Sequence, residues 1–322
     1  MPPKTNSRYD EFGAKIHDAD RILVVSHIRP DGDAVGSLIG LGLVLEEMGK
    51  KVNTVLEDGV PLTFHFLYGH DQVYQDAAGV YDLVIVVDCS DISRVGSVLD
   101  EVNQPDINID HHPTNTHFAP LNIVQTDAVA TAEIIYELIQ YLSLPMNKTI
   151  AEALLMGIIT DSLGFRTSNT SSKALRVAAD LQERGADISM LHHKALLERS
   201  YEAVKYWGAG LTTAQKEGRL VWATLSLEDR ERVGYPGRDD ADLVNILSTV
   251  QDTDVCLIFV EQRGGTVKVS WRARPGFDVS EVALQFGGGG HKPAAGAEIP
   301  GELENVKRDV IQATKHMLGE EE

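Results

Sequence analysis

Residues 21–26 (RILVVS) form a short β-branched apolar run. A polar loop follows, and over residues 34–48 apolar side chains recur at helical spacing until Gly49. Residues 51–56 predict the next strand and residues 106–109 a later one. Between them, residues 83–87 (LVIVV) are apolar at every position, as expected of a strand covered on both faces of a parallel sheet. Helical spacing returns over residues 131–142, 149–159 and 171–184, and residues 188–207 predict one connecting helix. The pattern then restarts: a strand at 220–225, a helix at 241–250, a hairpin of 255–261 and 266–271 around Arg263-Gly264-Gly265, and helices at 279–286 and 304–318. The expected fold class is α/β. A domain with a mostly parallel sheet spans residues 1–187, a helical linker residues 188–210, and a smaller α/β domain residues 211–322. Ligands of such sheets sit outside the carboxyl ends of the strands.

The 322 residues are 43% hydrophobic, enough for two packed cores. Charge narrows the function: 29 Lys and Arg stand against 48 Asp and Glu, a net of −19 spread over both halves with no basic arm. Such a chain repels a long duplex and is not a DNA-coating protein. If it handles phosphates, local arginines or bound cations must reverse the sign of the field. Two cysteines, Cys89 and Cys256, provide neither a disulfide framework nor a thiolate zinc site. Residues 1–10 are polar, and no stretch is long and apolar enough to span a membrane, so a cytoplasmic, unanchored protein is expected.

The first chemical signal is His27-x-x-x-Asp31-x-Asp33, where the first strand gives way to a helix. One imidazole and two carboxylates, with Gly32 allowing a tight turn, suit a cation; the same aspartates could instead cap the helix. Three further features favour the cation. Asp88 follows the LVIVV run, Asp110-His111-His112 follows the strand ending at Ile109, and Asp161 ends an apolar helix. Four strand or helix ends thus deliver Asp and His toward one face of one sheet. Carboxylates and imidazoles without thiolate favour manganese, magnesium, iron(II) or cobalt. Five aspartates suffice for two divalent cations sharing one carboxylate, an arrangement that clamps a phosphoryl group and supplies hydroxide near neutral pH. Two dications would also offset the local negative charge.

These residues resemble the DHH phosphoesterase family. Its ordered motifs appear as His27-x-x-x-Asp31-x-Asp33, Asp88, Asp110-His111-His112 and Asp161. The C-terminal segment resembles the DHH-associated domain, with Gly287-Gly288-Gly289-Gly290-His291 followed by Ala294-Ala295-Gly296. The resemblance spans roughly residues 20 to 300. The short two-domain form is similar to the nanoRNase and 3′,5′-bisphosphate nucleotidase group. Related sequences often have Thr-Gly after the fourth aspartate and Arg-Ser in the second domain, where this chain has Ser162-Leu163 and Arg272-Ala273.

By position, the resemblance implies His27 and Asp31 on one metal, Asp33, His111 and Asp161 on the other, and Asp88 bridging. It implies that His112 contacts the scissile phosphate, that Asp110 orients a ligand histidine, and that the Gly288, Gly289 and Gly290 amides, His291 and Arg272 hold the far end of the substrate. Arg94, six residues past Asp88, is expected to reach the phosphate, the alternative being a solvated loop arginine. His192-His193 is read as structural and Cys89 as a packed residue. The implied activity is manganese-dependent hydrolysis of short oligoribonucleotides, with 3′-phosphoadenosine 5′-phosphate as a second substrate, by activated hydroxide in a cleft between the domains. Expected partners are short single-stranded oligonucleotides or nucleotide bisphosphates, with no long duplex and no membrane; a homodimer is left open. The alternatives are a cyclic dinucleotide (c-di-AMP) or pApA phosphodiesterase and, outside enzymes, a nucleotide-binding sensor. A RecJ-like exonuclease is disfavoured by length and charge.

Overall fold

The computed structural model describes residues 7–100, 102 and 104–320, apart from the side chain of His291. The chain divides into two units after Glu198. In the first, the described α-helices and strands are α1 (Ser7–Asp18), β1 (Arg21–Val25), α2 (Gly32–Glu47), β2 (Lys51–Val55), β3 (Leu83–Val87), β4 (Ile107–Asp110), β5 (Leu121–Val124), α3 (Thr131–Leu142), α4 (Lys148–Asp161), α5 (Ser172–Glu183) and α6 (Ile188–His192). The five strands form an all-parallel sheet in the order β2-β1-β3-β4-β5.

Strand alternation explains why β3 is apolar throughout. Leu83, Ile85 and Val87, with Ile22 and Val24 of β1, pack into the helix-covered core. Val84 and Val86, with Leu23 and Val25, face a smaller cluster containing Tyr81, Val95, Val98 and Leu99. Helices α2 and α4 meet along small residues: a Cβ on Gly36 would stand 2.5 Å from the Ala153 carbonyl oxygen, and one on Gly40 would stand 2.7 Å from Leu154 Cδ2. This close approach buries nearly all of α2.

The second unit contains α7 (Tyr201–Thr212), β6 (Gln215–Glu217), β7 (Leu220–Leu225), α8 (Leu227–Val233), α9 (Leu243–Leu247), β8 (Val255–Gln262), β9 (Thr266–Ala273), α10 (Val279–Gln285), β10 (Gly289–His291), β11 (Ala294–Pro300) and α11 (Leu303–Met317). Its sheet runs β10-β11-β9-β8-β7-β6, with β7 and β8 parallel and the other neighbours antiparallel. Leu257, Phe259, Val269 and Trp271 pack on one face with α10 and α11; Val221, Ile258 and Val260 pack on the other with α7 and α9. The predicted hairpin turns at Arg263-Gly264-Gly265, where both glycines have positive φ.

The α/β reading stands, with one correction at the expected connecting helix. Residues 188–207 are not one helix: α6 ends at His192, a π-helical turn covers His193–Leu197, and Glu198 is extended. Ser200 then caps α7 by accepting a hydrogen bond from the Ala203 amide at 3.1 Å.

Candidate metal centre

The strand order places β2 on one side of β1 and β3 on the other, so successive connections leave the sheet in opposite directions and open a crevice at the carboxyl ends of β1 and β3. His27 lies just beyond β1 and Asp88 immediately beyond β3. Both side chains are buried. Asp88 has φ +52°, a left-handed conformation that costs a non-glycine residue energy and is held by the Asp88 amide donating to Ile109 O at 2.9 Å.

Asp31 is the N-cap of α2: one of its oxygens, Oδ1, accepts from the Asp33 and Ala34 amides, each at 3.1 Å. Capping and a place beside the metal centre are therefore compatible. Gly32 has no left-handed φ. A Cβ there would stand 2.3 Å from Thr160 Oγ1, so glycine is required by the approach of α4 rather than by the turn. Asp33 points inward to the start of α3, where its Oδ2 accepts from the Thr131 amide at 2.6 Å and its Oδ1 from the Ala132 amide and the Ser37 hydroxyl, each at 3.1 Å. Asp161 closes α4.

The described residues contain two groups whose donor atoms lie within 4.8 Å of one another: His27, Asp31 and Asp88, and Asp88, His111 and His112. Asp88 belongs to both. Its Oδ2 is 3.7 Å from His27 Nε2 and its Oδ1 3.7 Å from His111 Nε2. His111 Nε2 also lies 3.7 Å from Asp161 and 3.9 Å from Asp33. These separations exceed hydrogen-bond reach. They suit ligands of a common cation, since donors about 2.1 Å from one ion stand roughly 3–4 Å apart.

The two histidines of the Asp110-His111-His112 motif have different partners. Asp110 Oδ1 accepts from His112 Nδ1 at 2.7 Å, so the histidine that Asp110 orients is His112. His111 Nδ1 instead makes a long hydrogen bond, 3.4 Å, to the Ala128 carbonyl, leaving Nε2 to face the carboxylates. Asn115 Nδ2 donates to the other oxygen of Asp110 at 2.6 Å and to Asn108 Oδ1 at 2.7 Å. Sequence reading assigned no role to Asn115, Asn108 or Thr131, which carry no motif of their own.

Electrostatics mark the same cluster. Burial and the charges of Asp88, Asp161 and Asp31 hold Asp33 well above the usual carboxylate range. Burial pushes Asp161 up to about 7; the charges of His111 and His112 oppose the rise, and those of Asp88 and Asp31 add to it. Burial opposes ionisation of Asp88 too, but His27, His112 and His111 together hold its pKa below the usual range. For His112, burial disfavours the cation, yet Asp110 and Asp88 push its pKa up to about 9. Carboxylates crowded to this degree call for positive charge. The donors are all oxygen and imidazole nitrogen, while neighbouring Cys89 is buried with Sγ directed to Asp91 O, so the residues fit oxygen- and nitrogen-preferring divalent cations.

Arg94 is exposed on a 3₁₀ turn whose carbonyl at Arg94 accepts from the Ile28 amide at 2.7 Å, tying that turn to the His27 loop. In the second unit Arg272 lies on β9, with Nε donating to Asn245 Oδ1 at 3.3 Å. Strand register aligns Arg272 with Ala294 and Ala294 with His291, placing the Arg272 and His291 backbones at one level across three strands. The His291 side chain lies outside the described residues. Two of the expected phosphate-holding glycines are packed against β11: a Cβ on Gly288 would stand 2.2 Å from Gly296 O and one on Gly290 2.5 Å from Ala294 O. The Gly288 amide already donates to Ala283 O at 2.9 Å, closing α10. Gly287 and Gly289 face open space. Beyond Asp161, Leu163 and Phe165 have φ +48° and +66°, so the departure from glycine at position 163 puts a leucine in a left-handed conformation.

Residues 21–158 match the family model described as DHH family, N-terminal domain, and residues 216–320 match the DHHA1 domain. The bifunctional oligoribonuclease and PAP phosphatase NrnA of Thermus thermophilus is 34% identical over 303 residues, covering 92% of this chain and 90% of that protein. The protein of the same description from Mycoplasma genitalium is 29% identical over 313 residues, with 92% and 95% covered. Among solved structures, an exopolyphosphatase-related protein from Bacteroides fragilis has the same fold, with a TM-score of 0.88 at 24% identity over 99% of this chain and 97% of that one.

Proposed function

From the premise that the chain belongs to the DHH phosphoesterase family, with a DHHA1 domain at its C-terminal end, we propose that it hydrolyses short oligoribonucleotides and 3′-phosphoadenosine 5′-phosphate, using two divalent cations for which manganese is the best match. The observation that carries this reading is the sharing of Asp88 between two donor groups in a chain similar along most of its length to named oligoribonucleases. His27 and Asp31 would hold one cation, and Asp33, His111 and Asp161 the other, with Asp88 common to both. When bound, the cations supply hydroxide near neutral pH and offset phosphoryl charge.

The protein's own groups do the rest. His112, oriented by Asp110, donates to a phosphoryl or leaving oxygen. Asp110 cannot swing away, because Asn115 holds its second oxygen. Arg94 meets the phosphate from the rim of the centre. In the second unit Arg272, His291 and Gly289, which faces open space, are the groups proposed to bind nucleotide, Arg272 through its planar fork of donors.

Rates on a labelled dinucleotide, a pentanucleotide and a 24-mer, with manganese or chelator and with wild type or Asp88→Ala, test the proposal. The expected result is fast hydrolysis of the two short substrates, slow hydrolysis of the 24-mer, and a loss of at least about 100-fold in Asp88→Ala and in chelator. Equal rates on dinucleotide and 24-mer would overturn the substrate assignment; full activity of Asp88→Ala or of the chelated enzyme would overturn the cation-dependent mechanism.

A further inference from the structure

The turn that starts α3 carries no ligand assigned above, yet its atoms bond to three residues of the metal centre. Ala128 O receives His111 Nδ1; the Thr131 and Ala132 amides donate to the two oxygens of Asp33; and the Thr131 hydroxyl donates to Asp88 Oδ1 at 3.0 Å. Helix α3 has no side-chain cap of its own, its N-cap being Ala130, so its first amides are satisfied by Asp33 from across the fold. The turn is fixed from behind by buried Glu133, whose Oε2 accepts from the Val129 amide at 2.7 Å and whose Oε1 lies 3.1 Å from Lys173 Nζ.

Within this frame the hydroxyl of Thr131 has a distinct task. The Asp88 carboxylate must present Oδ2 toward His27 and Oδ1 toward His111 and His112, but all three imidazoles stand 3.7 Å away, too far for strong hydrogen bonds to set its rotation. The Thr131 hydroxyl lies within hydrogen-bond reach of Oδ1 and is fully buried with it. We propose that Thr131 is a positioning residue for the cation pair: its hydroxyl sets the rotation of the Asp88 carboxylate about χ2, and its amide ties Asp33 to the same frame. The inference rests on the reading that Asp88 is shared by two cations. Without the hydroxyl, Asp88 Oδ1 loses its close donor, while the backbone contacts to Asp33 remain.

Chelator-stripped wild type, Thr131→Val and Thr131→Ser are titrated with manganese by calorimetry. Electron paramagnetic resonance reads whether bound ions are exchange-coupled, and thermal melts report folding. Expected are two coupled ions in wild type, a 10- to 100-fold loss of affinity for the weaker ion with loss of coupling in Thr131→Val, and recovery of both in Thr131→Ser. Thr131→Ala, which removes the hydroxyl without placing a new methyl beside the carboxylate, repeats the test should the valine variant fail to fold. Wild-type affinity and coupling in either hydroxyl-free variant would overturn the inference and leave the cation reading standing. A wild type that takes up no manganese would overturn both.

Discussion

At the level of single residues, the centre is a set of carboxylates too close to ionise together. Asp161 is pushed up to about 7 and Asp33 is also raised, while the ordinary aspartate value is 3.8. In the cation-free protein, both groups bind protons more tightly folded than unfolded. Their contribution to stability is therefore full below about 4 and is lost as pH rises through their folded-state values. His112, raised to about 9 from an ordinary 6.5, acts in the same direction at higher pH. Chelated protein should thus lose stability in denaturant titrations between about pH 4 and 7, and Asp161→Asn should flatten that slope. A wild-type curve parallel to that of the variant would refute the assignment. Added manganese should reverse the trend, because cations bind ionised carboxylates and compete with protons. All four motifs were legible in the sequence because each ends a strand or helix with a chemically distinctive group. Thr131 and Asn115 were not, because a buried hydroxyl or amide acquires its meaning only from a partner brought in by folding.

Among the elements, β3, β7 and α3 fall where apolar periodicity puts them, since each follows one pattern over its whole length. Short or mixed segments escaped. In β5 an asparagine follows the first leucine; β11 is largely alanine and glycine; and α1 shows Tyr9, Phe12 and Ile16 only as a sparse stripe in a polar stretch. Periodicity could not report how closely two helices approach, and here that distance shapes the candidate metal centre. Asp33 lies in the first turn of α2 and Asp161 ends α4, while a Cβ on Gly157 would stand 2.9 Å from Asp33 Oδ1. Helix propensity alone makes an alanine more stable than a glycine by about 1 kcal/mol. That gain is expected for Gly208→Ala in α7, where an added Cβ meets nothing within 4 Å. For Gly36→Ala the sign should reverse. The Cβ would press on the Ala153 carbonyl at 2.5 Å and on the Gly157 amide nitrogen at 2.9 Å, both backbone atoms that cannot rotate away. A net loss of about 1–3 kcal/mol, with weaker manganese binding as α2 and α4 part, is the expected result. Stabilisation of both variants in denaturant titrations would show that the helix contact is looser than these distances require.

For the whole molecule, the net charge of −19 and the proposed substrate class bear on each other. On the proposed reading, part of that charge is neutralised by cations at the centre, which would let an acidic protein attract one phosphate. The remainder is spread along the chain and acts on every further phosphate a longer strand brings. If this repulsion selects for length, selection must be sensitive to ionic strength, because exposed charges interact across distances that salt screens, about 10 Å at 0.1 M. The sign is opposite to that of a basic nucleic-acid-binding protein, whose affinity falls as salt rises. Here KM for a 24-mer should fall by roughly fivefold or more between 0.02 and 0.3 M potassium chloride, while KM for a dinucleotide changes by less than about twofold. Steady-state kinetics at fixed manganese measure both. A preference for short substrates that persists unchanged at high salt would mean that length is measured by the walls of the binding site, with the surface charge serving solubility alone.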